Sequence, residues 1–342
     1  MRSAELQNSF CPSTMSLVRV VAMHRWGCCS IAVSLLLAVP ESSLAQSPTS
    51  PQDGLALLQA GKPDEARAVF EAILGSNPGD PQALDGEVKA SEALALKERS
   101  AGHMVEALRD MMRAEDYAPG NARLLFDIGI LEEEMQLYPD AEKALARAQE
   151  IDPGNPDNYY AMARVKIDEG QLDAAEQNMT TYLKARPDDA SAHYGLGRVY
   201  ELGMQFDQAR GEFQRSIELQ PLQTEAYYEL GDVALKQDNY SEALSYFEKV
   251  LARNGQHGGA LTGAGQALYR EKRYEQALAY LRRATGAAPG YQPGHYYLGL
   301  TLSRLGQKEE SDRELLTAQK LADEDNKNAG RRYQLSGVPP SQ

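Results

Sequence analysis

The strongest constraint on this chain is a period of 34 residues. Pro153, Pro187, Pro221 and Pro289 are separated by multiples of 34, Gly255 stands in the one missing place, and Pro119 continues the series upstream. Twelve residues before each of these sits an alanine: Ala107, Ala141, Ala175, Ala209, Ala243 and Ala277. Twelve before five of those alanines sit Gly129, Ala163, Gly197, Gly231 and Gly265, and Gly299 holds the same relation to Ser311. Three columns of small or helix-breaking residues in one phase mean a stack of equivalent units. Each unit buries its apolar side only against its neighbours, so a single globular core is excluded.

Residues 190–223 show why the columns exist. Tyr194, Leu196, Gly197 and Tyr200 follow the spacing of one amphipathic helix, and Ala209, Phe213 and Ile217 that of a second. Two short helices pack closely only where small residues sit at their crossing, the position that Gly197 and Ala209 occupy. A glycine inside a helix costs about 1 kcal/mol relative to alanine, so close approach must offset that cost. Pro221 then stops the second helix.

Leu196-Gly197 with Tyr200, Ala209 with Phe213, and Pro221 resemble the tetratricopeptide repeat (TPR) pattern, as do Leu230-Gly231, Ala243 with Phe247, and Leu298-Gly299. The repeats divide into units at 122–155, 156–189, 190–223, 224–257, 258–291 and 292–325. Upstream, Ala66, Phe70 and Pro78 mark a unit near 47–80. The unit at 81–121 is seven residues too long, which predicts helices extended by two turns. Residues 307–329 read as one long charged closing helix and Arg331–Gln342 as a loose tail, so that 326–342 follow the array as helix end and tail. The resemblance implies an all-α fold, a right-handed α-solenoid of about eight helix-turn-helix units. It also implies a concave groove lined by the first helix of each pair.

The segment ahead of the array differs in kind. Arg19, His24 and Arg25 precede the uncharged run Ile31–Val39, Pro40 breaks it, and Ser43-Leu44-Ala45 offers a small-x-small site. That order reads as a signal peptide over residues 1–45, cleaved after Ala45, with translation starting at Met1, Met15 or Met23. A run this short falls well below the roughly 20 residues of a membrane-spanning helix. The expectation is an exported protein, periplasmic or secreted, with no membrane insertion once the leader is removed; an anchor formed by an uncleaved signal is the weaker alternative. The leader carries all three cysteines, Cys11, Cys28 and Cys29. The remainder therefore has no disulfide, thiolate nucleophile or thiolate-held metal. It is also one charge more negative than the −14 of the whole chain, because Arg2, Arg19 and Arg25 leave with only Glu5 and Glu41. Such an acidic surface repels phosphate backbones, so nucleic acid is not an expected partner.

The fifth position of each unit reads Phe126, Tyr160, Tyr194, Tyr228, Thr262 and Tyr296. In the family this column faces the groove, with the ninth and twelfth beside it. Those add Arg164, Arg198 and Asp232, then Glu201 and Tyr269. Tyrosines supply rigid contact area and polar tips, which suits an extended polypeptide. Arg164 and Arg198 could clamp a carboxylate; the competing reading is a surface pair between Arg198 and Glu201. The Lys and Asn of the family's carboxylate clamp are absent from these columns, so that function does not carry over. His193 and His295 are expected in or near the core, and neither HxxxH nor HExxH occurs. Gly258–Gly265 lacks a preceding strand and a following Gly-Lys-Ser/Thr, and reads as an inter-unit turn rather than a phosphate loop. The expected function is a non-catalytic scaffold that takes no cofactor or metal and binds a polypeptide segment in envelope assembly. Polysaccharide binding in export or wall building is the alternative, since tyrosine faces also stack on sugars.

Overall fold

The computed structural model describes residues 50–336. The leader, its cleavage site after Ala45, the alternative starts, the three cysteines and the last six residues of the tail lie outside the described residues. Within them the chain forms sixteen helices and no strand. The helices pair as α1 (Pro51–Gln59) with α2 (Pro63–Ser76), α3 (Pro81–Ser100) with α4 (Met104–Tyr117), and α5 (Ala122–Glu134) with α6 (Tyr138–Ile151). Next come α7 (Pro156–Asp168) with α8 (Leu172–Ala185) and α9 (Ala190–Leu202) with α10 (Phe206–Leu219). The last are α11 (Thr224–Lys236) with α12 (Tyr240–Arg253), α13 (Gly258–Arg270) with α14 (Tyr274–Ala287), and α15 (Gln292–Arg304) with α16 (Lys308–Ser336). This is an α-solenoid. From α5 onward both the first and the second helices begin every 34 residues.

Punctuation between helices is local chemistry. Asp80, Asn121, Asn155 and Asp189 cap the first helices they precede, each side chain accepting from a backbone N–H of the first turn. Such a cap is worth about 1 kcal/mol. The turn inside each pair carries one residue in the left-handed region: Gly61, Gly102, Gly170 and Gly306, but Gln136, Met204, Asp238 and Lys272 in the others.

Packing centres on one column of second-helix side chains: Phe70, Leu145, Met179, Phe213, Phe247 and Leu281, all buried. A Cβ placed on Gly197 would lie 2.6 Å from the ring of Phe213. One on Gly231 would lie 2.7 Å from Phe247, and one on Gly263, in the following unit, 2.4 Å from the same ring. Phe70 sits in the same way against Gly54 and Gly86. The sequence expectation is thereby sharpened. The glycines do not simply bring backbones together; they receive this knob, and some knobs fasten two units at once. The run Gly258–Gly265 is helical from its first glycine, not a turn, because Gly263 and Gly265 serve as two such seats.

In the long second unit the seven extra residues all enter the first helix. α3 has 20 residues where the later first helices have 13, while α4 keeps the usual 14. Seven residues are close to two turns, so both ends of α3 keep their facing. Gly86 meets Phe70 of the preceding unit, and the other end packs on α4. The added turns bury Glu87 and Ser91, both 0% exposed. Neither Glu87 oxygen nor the Ser91 hydroxyl has a hydrogen-bond partner among the described residues. Around them Arg67 of α2 bonds Asp110 of α4 at 2.7 Å, and Arg113 of α4 pairs with Glu71 of α2 at 2.9 Å. Burial, reinforced by the nearby Glu71 carboxylate and only partly offset by Arg67 and Arg113, raises the Glu87 pKa to about 7. The closing helix α16 runs to Ser336, seven residues past the expected end at Ala329 and into the stretch read as tail.

Two outcomes test this account. Gly197→Ala drives a methyl into Phe213 and should lower stability by about 1–3 kcal/mol. In the same unit Gly211 lies in mid-α10 with nothing within 4 Å of its added Cβ, and Gly211→Ala should raise stability by about 1 kcal/mol. Urea unfolding measures both, and equal signs would refute the knob-and-seat assignment. Glu87 keeps its proton in the folded chain at pH values where the unfolded chain has lost it. Its contribution is therefore most favourable below the unfolded pKa and is lost as pH rises toward 7. Glu87→Gln should accordingly gain roughly 2–3 kcal/mol over wild type at pH 8 and close to nothing at pH 4, read as a pH-dependent difference in melting temperature.

Candidate binding groove

First helices of neighbouring units approach one another: α5 with α7, α11 with α13, and α13 with α15. Among the described residues no two second helices approach as closely. The first helices therefore occupy the inner side of the stack, and their outward-facing columns line a groove.

Five of the residues singled out by the repeat meet in mid-array. Tyr194, Arg198 and Glu201 come from α9, Tyr228 and Asp232 from α11. The Tyr194 hydroxyl donates to Glu229 Oε1 at 3.1 Å. Arg198 Nη1 donates to the same oxygen at 2.9 Å and to Glu201 Oε2 at 3.2 Å. Lys236 Nζ joins Glu201 at 2.7 Å and Asp232 at 2.7 Å. Arg198, Glu201, Leu202, Tyr228, Glu229, Asp232, Lys236 and Tyr291 surround a cavity of about 300 Å³. Glu201 and Glu229 are only 6% and 7% exposed. Burial, with Glu201 alongside, raises the Glu229 pKa against the opposing pull of Arg198 and the Tyr194 hydroxyl. Desolvation pulls Lys236 down, but its bonds to Asp232 and Glu201 outweigh it and leave its pKa raised. Burial and the Glu229 carboxylate push the Tyr194 pKa well up, so its hydroxyl stays protonated and donates.

The remaining residues lie along the stack. Arg164 Nη2 donates to both oxygens of the buried Glu133, at 2.9 and 2.8 Å. Tyr160 leans on Tyr182 with ring centres 5.0 Å apart, Tyr194 on Phe213 at 5.7 Å, and Tyr228 on Phe247 at 5.9 Å. Each half-buried tyrosine is thus braced from behind by an aromatic of its own second helix. Phe126 packs into the cluster around Leu145 and Met162 and is largely a core residue. Tyr269 and Tyr296 lie further on, among the tyrosines of α13 to α15.

Arg164 and Arg198, the two arginines weighed as a carboxylate clamp, are both engaged within the protein. Each guanidinium already holds carboxylates of the groove wall: Glu133 for Arg164, Glu201 and Glu229 for Arg198. The competing Arg198–Glu201 pair is present, and Glu229 of the next unit enlarges it. Glu229, Lys236 and Tyr291 were missed by the column reading. Glu229 had a weak signal, since its place is filled by Ala161, Gly195 and Gly263 in three units, though by Asp127 and Tyr297 in two others. His193 and His295 each staple their own unit to the end of the preceding one. Nδ1 of each meets a carboxylate at 2.6 Å, Glu212 or Glu314, and Nε2 meets the carbonyl of Pro187 or Pro289. Among the described residues no cluster of three or more His, Cys, Asp and Glu is placed to hold a metal ion. No helix there is long and apolar enough to cross a membrane.

A family model described as Tetratricopeptide repeat matches residues 53–84, 92–156, 160–223, 203–249 and 228–292. No curated protein sequence matches the chain. Among solved structures it is similar to a tetratricopeptide repeat protein from Parabacteroides merdae, at 17% identity and a TM-score of 0.51, covering 73% of this chain and 96% of that one. It is also similar to the APC/C hetero-tetramer Cut9-Hcn1, at 18% identity and a TM-score of 0.55, covering 78% and 52%. YrrB, described as a TPR protein with an unusual peptide-binding site, aligns at 23% identity with a TM-score of 0.44, covering 53% and 93%. At these identities the likenesses show the fold alone. TPR proteins generally mediate protein–protein interactions and are generally non-catalytic. With the family model spanning most of the array, one unit after another, the chain belongs to the tetratricopeptide repeat family.

Proposed function

We propose that this protein is a scaffold outside the cytoplasm that holds an extended polypeptide segment along its inner groove, in the assembly of the cell envelope. The observation that carries the reading is the braced tyrosine column. Tyr160, Tyr194 and Tyr228 are immobilised from behind by Tyr182, Phe213 and Phe247. Rings held in place before binding lose little conformational entropy when a ligand arrives. The polar groups between them alternate in sign, Arg198 and Lys236 against Glu201, Glu229 and Asp232. Such an array can meet the N–H and C=O groups of an extended backbone. Sugar stacking needs an open ring face, and these half-buried rings lean on neighbours, so a polypeptide is favoured over a polysaccharide. The export part of the proposal rests on the leader-like order of residues 19–45.

Each part has its own test. Tyr160→Ala, Tyr194→Ala and Tyr228→Ala together should remove the partners that crosslinking and mass spectrometry recover from a native cell envelope. Circular dichroism should still report a folded array. An unchanged set of crosslinked partners would refute groove capture. For export, N-terminal sequencing of the protein from a periplasmic fraction should begin at Gln46; recovery only as uncleaved chain in the cytosol would refute it.

A further inference from the structure

The groove changes character at its C-terminal end. The two first helices there, α13 and α15, carry Arg270 and Arg304 and no carboxylate, in a chain whose net charge is −14. The same stretch carries a continuous run of rings. Tyr274 lies 5.6 Å from Tyr269, Tyr269 lies 5.9 Å from Tyr297, and Tyr297 lies 5.4 Å from Tyr296. Tyr296 is 42% exposed, unlike the half-buried tyrosines of mid-groove.

Two exposed arginines border these rings at equivalent places in successive units, Arg270 at the end of α13 and Arg304 at the end of α15. Each has a phenol for a hydrogen-bond neighbour. Tyr297 sits beside Arg270 and Tyr269 beside Arg304, and each contact raises the guanidinium pKa. Among the described residues neither arginine has a carboxylate within ion-pair distance, whereas Arg164, Arg198 and Arg210 all do. Asp238, a carboxylate that acts on Arg270 from further away, already accepts from the Tyr240 hydroxyl at 2.5 Å. Glu271 is likewise engaged, by Arg273 and Ser241.

We infer that this end of the groove docks an acidic stretch of the bound polypeptide, with Asp or Glu side chains taken by Arg270 and Arg304 and an apolar or aromatic residue lying on Tyr296. The inference rests on the groove reading above and names the chemistry of its partner. A planar guanidinium binds a carboxylate through two parallel N–H donors, a stronger match than a point charge gives. The partner is a short acidic segment rather than a long polyanion for an electrostatic reason. Charges are screened beyond about 8–10 Å at physiological salt, so a short motif feels the basic end alone. A nucleic acid or acidic glycan long enough to continue along the groove would be forced past Glu201, Glu229 and Asp232.

Fluorescence anisotropy with a short synthetic peptide of alternating Glu and Tyr tests this. The wild-type protein should bind it, and the Gln-Tyr counterpart should bind about tenfold or more weakly. Arg270→Gln with Arg304→Gln should weaken the Glu-Tyr peptide by a similar factor. Lys184→Gln with Lys320→Gln, which removes the same charge elsewhere, should leave it unchanged. Equal binding of the two peptides, equal loss in the control pair, or no binding of either peptide would overturn the inference. So would a heparin fragment or single-stranded oligonucleotide that binds more tightly than the peptide and with the same arginine dependence. If the acidic peptide fails while the three-tyrosine variant still loses its crosslinked partners, the groove reading stands and only the partner chemistry falls.

Discussion

The joints of this solenoid depend on one steric arrangement, a large second-helix side chain seated against a glycine or alanine of a first helix. Phe247 touches Gly231 in its own unit and Gly263 in the next. One side chain therefore fixes both the crossing of a helix pair and the stacking of that pair on its successor. Where the knob is smaller, as with Leu145 against Gly129, the seat is kept and the fit is made with branched carbons. A solenoid has no central core to average over local errors, so each joint must be specified where it occurs.

The long second unit shows how such a chain tolerates insertion. Seven residues added to α3 leave both of its ends on their proper faces, because seven is close to two turns. The joints with α2 and α4 survive. The inserted turns fill space that no repeat column was built for, and they fill it with Glu87 and Ser91. The ion pairs Arg67–Asp110 and Arg113–Glu71 then link second helices across that space. A carboxyl whose pKa rises to about 7 is the local consequence of keeping the helix continuous.

Along the groove the charges are arranged in two regimes. In mid-array Arg164, Arg198 and Lys236 are all bound by buried carboxylates, so the wall is neutralised and its tyrosines are braced. At the C-terminal end Arg270 and Arg304 have phenols beside them instead. Drawing a paired arginine onto a ligand costs more than engaging one whose neighbours are neutral acceptors, because its existing carboxylate partner would be left uncompensated. The two ends of one groove thus offer a ligand different chemistry while sharing one backbone geometry.

The repeat itself determined most of the fold. A 34-residue period in Pro, Ala and Gly places helix ends, crossings and unit boundaries, since each of those depends on residues close together in sequence. The Asp and Asn caps two residues after the prolines, contacts within one turn, carry a local signal that the period alone did not bring out. The columns containing Tyr160, Tyr194, Tyr228 and Arg198 could be read from helix geometry as one face. Which residue of the next unit each one meets could not. Arg198 with Glu229 and Lys236 with Glu201 join residues 31 and 35 positions apart. Those pairings depend on the rotation and offset between successive helices, which the knobs set through packing and which no single unit encodes. For the same reason the sequence marked the second unit as seven residues too long, but only the tertiary structure placed all seven in α3.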